Sequence, residues 1–117
     1  MNKSEMKMAY KHTKRLMGVY GIKNSQNNEV LIGFSTDVPA RFNRHKAELR
    51  FGNHQNRGLQ KIWDSFGESA IEFEVLDTLD HDENVQASPN EELQVLAEMW
   101  RQKLEKEGFV IVYLKNG

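Results

Sequence analysis

Met17-Gly18-Val19-Tyr20-Gly21-Ile22 and Val30-Leu31-Ile32-Gly33-Phe34 are two short apolar runs separated by a polar stretch, Lys23 to Glu29, that contains Asn27-Asn28. Runs of this length bounded by turn-forming residues read as strands, and their spacing makes them an antiparallel hairpin. Beyond the hairpin, Asp37 can cap a helix that holds Pro39 in its first turn. Val38, Phe42, His45 and Leu49 then recur on one helical face, and Gly52 ends it. Leu59, Ile62, Trp63 and Phe66 stand at i, i+3, i+4 and i+7, the buried stripe of a second helix stopped by Gly67. Ile71, Phe73 and Val75 alternate with Glu72 and Glu74, as in a strand with one buried and one wet face. Thr78 to Pro89 is an acidic, turn-rich connection. Asn90 is a candidate cap for a third helix carrying Leu93, Leu96, Ala97, Trp100 and Leu104 along one stripe, which Gly108 breaks. Phe109 to Leu114 reads as a closing edge strand or an extended tail on the core. The order β-β-α-α-β-α, with a small sheet and helices around it, is an α+β architecture.

A chain of 117 residues, 38% hydrophobic and 28% charged, is expected to form one folded domain around one core. Met1 to Arg15 is lysine-rich and poor in apolar residues, so residues 1–16 are expected as a flexible basic arm and residues 17–117 as the domain. No run approaches the roughly 18 apolar residues of a membrane span and the start lacks a signal-peptide apolar region, so a cytoplasmic protein with no membrane partner is expected. There is no cysteine, which excludes disulfides, thiolate metal sites and a cysteine nucleophile. Any metal must then be held by oxygen or by histidine. The net charge of −1 conceals an asymmetry: residues 1–51 carry ten Lys or Arg against four Asp or Glu, a balance of +6, and residues 52–117 carry six against thirteen, a balance of −7. A nucleic-acid backbone would favour the first half, through cations such as Arg41, Arg44, Lys46 and Arg50. The same charges also fit ordinary solvated helix faces.

Gly18-Val19-Tyr20 and Leu31-Ile32-Gly33 resemble the two motifs of the GIY-YIG nuclease superfamily. The likeness continues in order through Gly33 to Asp37, Arg41-Phe42-Asn43-Arg44-His45-Lys46, Gly52-Asn53-His54, Leu59-Gln60-Lys61-Ile62-Trp63, Phe66-Gly67 and Phe73-Glu74-Val75-Leu76. Glu91-Glu92-Leu93, Glu98-Met99-Trp100 and Lys103-Leu104 are similar to the closing helix of the bacterial branch found alone or attached to LuxR-type and ArsR-type regulators. The resemblance implies a three-stranded antiparallel sheet flanked by helices and a shallow surface that cuts phosphodiester bonds with one divalent metal. Mg²⁺ in such a site needs oxygen ligands, an arginine offsets charge developing on phosphate, and tyrosine or histidine orients the attacking water or accepts its proton.

Carried over residue by residue, the resemblance places Tyr20, Arg41, His45 and His54 at the family's catalytic positions, gathered about one concavity. Arg41 and His45, four apart, share a helix face. Each also has a plain structural reading: Arg41 as a surface cation, Tyr20 as strand packing, His45 as a core position beside Phe42 and Leu49, and His54 as a loop residue. Three positions depart from the pattern. Leu31 replaces the tyrosine of the second motif, Val110 stands where an asparagine often follows the closing glycine, and Ala97 stands at the metal-binding glutamate, three residues before Trp100. Glu98 is adjacent, but about 100° of helical rotation per residue is expected to turn it off the face of Leu93, Leu96 and Trp100. These features predict a nuclease-type domain impaired in cleavage, with a weak residual DNA-binding surface built from Arg41, Arg44, Lys46 and Arg50. The alternatives are an active Mg²⁺-dependent endonuclease that recruits Glu98 or another carboxylate, and an interaction domain that offers its acidic last helix to a protein partner.

Overall fold

The computed structural model describes residues 16–80 and 87–113. Its elements are β1 (Met17–Asn24), β2 (Glu29–Ser35), α1 (Val38–Phe51), α2 (Arg57–Phe66), a 3₁₀ turn (Glu68–Ala70), β3 (Ile71–Leu79), α3 (Pro89–Lys106) and β4 (Val110–Tyr113). The basic arm lies outside the described residues, except that Leu16, expected in it, packs against the core.

The hairpin forms as the two apolar runs predict, with Tyr20 opposite Gly33 and Ile22 opposite Leu31. β3 joins the other side of β1, also antiparallel. The sheet has four strands rather than three, in the order β3-β1-β2-β4, because Val110 to Tyr113 pairs in parallel with β2. This settles the edge-strand reading of the C-terminal run. Its apolar, β-branched residues satisfy the outer backbone groups of β2, and the Val110 N–H donates to the Asn28 carbonyl at 3.0 Å.

Alternation along the strands sends Tyr20, Ile22 and Leu31 to one face, where they form the main core with Val38 and Leu49 of α1, Leu59 of α2 and Ile71. Val19 and Val30 point to the other face and are fully buried. α3 lies against β1, β2 and β4, and its buried Leu93 and Leu104 are on the side that closes this second layer. The central strand β1 is thus enclosed on both faces, which explains its continuous apolar run.

Local chemistry fixes the helix ends. Asp37 caps α1 by accepting from the Ala40 N–H, Pro39 occupies the first turn, and Gly52 closes the helix at φ 79°, a left-handed conformation that glycine adopts without strain. α3 is capped by Ser88, which accepts from the Glu91 N–H, and not by Asn90: Pro89 takes the first helical position, where its missing N–H costs nothing. In α2 the expected stripe needs a second correction. Phe66 is 55% exposed, whereas the polar Gln60 is only 5% exposed, because Gln60 is held by hydrogen bonds described below.

Candidate functional site

Tyr20 projects from the middle of β1 across Gly33 on the neighbouring strand, and a Cβ on Gly33 would come to 2.5 Å from Tyr20 Cζ. Only glycine leaves room for the ring there. The ring makes edge contacts with Phe42 (centroids 5.3 Å apart) and His45 (5.6 Å), both on α1. Spacing of three places Phe42 and His45 on one side of α1, so the helix that buries Leu49 also delivers the imidazole to the hydroxyl.

A chain of hydrogen bonds runs inward from Tyr20. Tyr20 Oη and His45 Nε2 are 2.9 Å apart, and His45 Nδ1 and His54 Nε2 are 2.8 Å apart. The Asn56 backbone N–H donates to His54 Nδ1 at 3.0 Å. This last contact fixes every proton in the chain, since a backbone N–H can only donate. Neutral His54 must carry its hydrogen on Nε2 and donate to His45 Nδ1. Neutral His45 must then carry its hydrogen on Nε2 and donate to the Tyr20 oxygen. The Tyr20 hydroxyl proton is left to point elsewhere. Electrostatics agree with all three groups being neutral. Burial, partly offset by the Arg41 cation, pushes the Tyr20 phenol up to about 12. Burial, with His54, Arg41 and Arg44 adding to it, pulls His45 down to about 4. Burial also lowers His54, against an opposing pull from Glu48.

Gln60 holds the inner end of this chain. It accepts from the His54 N–H at 3.0 Å and donates to the Leu49 carbonyl at 2.9 Å and to Asp64 at 3.0 Å, tying the loop of His54 to the end of α1 and to α2. Sequence reasoning missed it. A glutamine on an otherwise apolar face of α2 was the available signal.

The outer end opens on a cleft of about 380 Å³. Tyr20, Gly33 and Phe34 of the hairpin, Arg41 of α1, and Gln94, Ala97, Glu98 and Arg101 of α3 line it, with Ile32 and Ile111. Gln94, Ala97, Glu98 and Arg101 stand at i, i+3, i+4 and i+7, so one face of α3 forms this wall. The Trp100 indole N–H donates to Asp77 on β3 at 2.9 Å and so fixes the rotation of the helix. Both Ala97 and Glu98 face the cleft: the rotation that takes Glu98 off the apolar stripe does not take it out of the site, because the wall lies beside the stripe of Leu93 and Leu104, not along it. Arg101, also missed from sequence, reaches Glu98 as a close ion pair.

Of the four residues carried over from the resemblance, Tyr20 and Arg41 line the cleft, while His45 and His54 stand behind Tyr20 in the hydrogen-bonded chain. The four cations expected on α1 do not share one face. Arg44 pairs with Glu48 at 3.7 Å, and Lys46 lies over the Phe73 ring at 5.1 Å. Arg50 is about 180° around the helix from Arg41.

Two places invite a cation. His45, Glu48 and His54 bring potential ligand atoms within 4.8 Å of one another, a composition compatible with a metal. In the observed hydrogen bonding, however, the hydrogen on His54 Nε2 occupies the lone pair a metal would need, and the Asn56 N–H blocks the other tautomer. The cleft fits a hard cation poorly. Among the described residues lining it Glu98 is the one carboxylate, it is engaged by Arg101, and two guanidinium groups share the space.

The comparisons with known proteins agree with this geometry. The profile of the GIY-YIG catalytic domain matches residues 16–87. The chain is 31% identical over 68 residues to Intron-associated endonuclease 1 of Enterobacteria phage T4; the match takes in 58% of this chain and 27% of that protein, so the chain spans about a quarter of that relative's length. In fold it is similar to a glutamate-to-alanine mutant of the catalytic domain of intron endonuclease I-TevI, with a TM-score of 0.63 and 26% identity over 87% of this chain and 99% of that one. It has the same TM-score, 0.63, against the catalytic domain of homing endonuclease I-TevI, at 22% identity over 86% of this chain and 99% of that one, a likeness of fold. With the family profile covering more than half of its length and the same α+β architecture, the chain belongs to the GIY-YIG family.

Proposed function

We propose that this GIY-YIG endonuclease domain is impaired in cleavage and retains a weak phosphate-binding surface for DNA. The observation that carries the reading is that Ala97 lines the same cleft as Tyr20 and Arg41. Nucleases of this family are generally metal-dependent, and at the position the resemblance assigns to the metal-binding glutamate this chain has a methyl group. A divalent ion would bring Lewis acidity and alignment of an attacking water. Without a carboxylate at Ala97 that ion has little to hold it. Tyr20, Arg41, His45 and His54 are the remaining site residues in this reading. Tyr20 and Arg41 meet the phosphate, and the two histidines position the tyrosine. The basic residues Arg41, Arg44, Lys46 and Arg50 of α1 add DNA contacts, Arg41 from within the cleft. Residues 17–117 act as the domain, and the bacterial regulator-linked branch is its proposed setting.

A second reading has one observation in its favour. Because Glu98 lines the cleft, it could bind Mg²⁺ after releasing Arg101, which would leave the unmodified chain active.

Nicking of supercoiled plasmid with Mg²⁺ or Mn²⁺, for the unmodified chain beside Ala97→Glu, separates these readings. The expected result is no cutting by the unmodified chain and a gain of metal-dependent cutting by the variant. Metal-dependent cutting by the unmodified chain, lost in both Arg41→Ala and Glu98→Ala, would overturn the impaired reading and establish the second.

A further inference from the structure

We propose that Arg101 makes the cleft a metal-free phosphodiester site, in which the guanidinium groups of Arg41 and Arg101 and the Tyr20 hydroxyl grip one phosphate and Glu98 is the counter-ion that the phosphate displaces. This inference rests on the proposed DNA-binding reading and adds the ligand chemistry of the same cleft.

Three donors converge on the space. Arg41 of α1, Arg101 of α3 and Tyr20 of β1 all line it, so the three donors come from three different elements. The phenol is a donor to the cleft because of the proton order set from the far end. The Asn56 N–H, His54 and His45 each pass a hydrogen bond outward, so the Tyr20 oxygen accepts from His45 and its own hydrogen is free for an acceptor in the cleft. Two arginines and a hydroxyl suit a tetrahedral anion, since guanidinium offers paired N–H groups matched to phosphate oxygens. They suit a divalent cation badly.

Glu98 supplies the remaining feature. Its Oε1 atom takes the close contact with Arg101 and a weaker one from Gln102 Nε2 at 3.4 Å, and Glu105 lies 3.9 Å from Arg101 Nε. Glu98 and Glu105 are both on α3, so these two contacts run along the helix that forms the cleft wall. The Glu98 side chain is half-exposed and that of Arg101 less so, and solvent screens the pair from the Glu98 side. A phosphate that can also reach Arg41 and Tyr20 offers Arg101 a better partner, and Glu98 then swings to solvent. A fixed guanidinium thus stands in the cleft where a metal-dependent site would need a cation, in a chain that carries Ala97 on the same helix face.

The test is binding of a fluorescently labelled duplex oligonucleotide, read by anisotropy, in chelator and in Mg²⁺. Binding in chelator, with no gain in affinity on adding Mg²⁺, is expected, since Mg²⁺ acts here only as a competing counterion of the DNA. Arg101→Ala and Arg101→Lys should each weaken binding, the alanine by about tenfold or more. The slope of log affinity against log salt should fall by about 1 with Arg101→Ala. Glu98→Gln should tighten binding severalfold. Thermal melts confirm that the variants fold, and Arg101→Lys and Glu98→Gln read the site should the alanine variant not. Binding that requires Mg²⁺, or that is unchanged in both Arg101 variants, would overturn this inference and leave the DNA-binding reading standing. If the unmodified chain binds no duplex, the DNA-binding reading fails, and titration with inorganic phosphate decides the inference by itself. A phosphate-dependent shift of the Arg101 side-chain Nε resonance that persists in folded Glu98→Gln supports the site, and no shift at any phosphate concentration overturns it.

Discussion

Lowering the pH from 7.5 to 5 should destabilise this fold by about 2 kcal/mol through His45 alone. The ring is 4% exposed and its pKa falls from 6.5 to about 4 because burial and the cationic neighbours disfavour the imidazolium. The folded value is below the unfolded one, so between those pH values the unfolded chain holds the extra proton. Stability therefore rises with pH through that window and is lost as pH falls. The two-pKa linkage expression gives about 2 kcal/mol by pH 5 and about 3 kcal/mol once the window has been crossed. His54, also lowered by burial, acts in the same direction. Urea titrations at pH 7.5, 6.5, 5.5 and 5.0 measure the slope before most carboxylates titrate, and ¹⁵N spectra of the imidazoles read the proton positions. Both rings should show hydrogen on Nε2 at pH 7. Stability that is flat between pH 7.5 and 5, or a His45 ring charged at pH 6, would refute both the neutral chain and the proton order derived from it.

Gly33→Ala should cost about 2–4 kcal/mol, from overpacking and damage to the Tyr20 hydrogen bond, because the new methyl group would come to 2.5 Å from Tyr20 Cζ with the ring already packed on Phe42. A melting temperature lowered by less than about 2 °C would contradict the close approach. Gln60→Leu keeps the volume but strands the His54 N–H and leaves the Leu49 carbonyl with the Gly52 N–H at 3.2 Å as its remaining donor. It should cost about 2–4 kcal/mol and speed hydrogen exchange at the His54 amide, and unchanged protection there would show that Gln60 does not brace the loop.

Sequence determined the elements of this protein and their order. Apolar runs bounded by turn residues marked the hairpin, alternation marked β3, and Asp37, Pro39, Gly52 and Gly67 marked helix ends, because these signals act within a few residues and need no distant partner. The family motifs likewise singled out Tyr20, Arg41 and Ala97, which line one cleft. Tertiary structure decided what depends on partners far along the chain. The parallel pairing of β4 with β2 is invisible in a four-residue run. The burial of Gln60 in place of Phe66 follows from hydrogen bonds to Leu49 and His54 that no periodicity records. The rotation of α3, held by Trp100 on Asp77, brings Glu98 and Arg101 into the cleft beside Ala97. The direction of the hydrogen bonds from Asn56 to Tyr20 is also a tertiary property. It joins a loop, a helix and a strand across 36 residues of sequence, and one backbone N–H, which can donate but never accept, sets it for the whole chain.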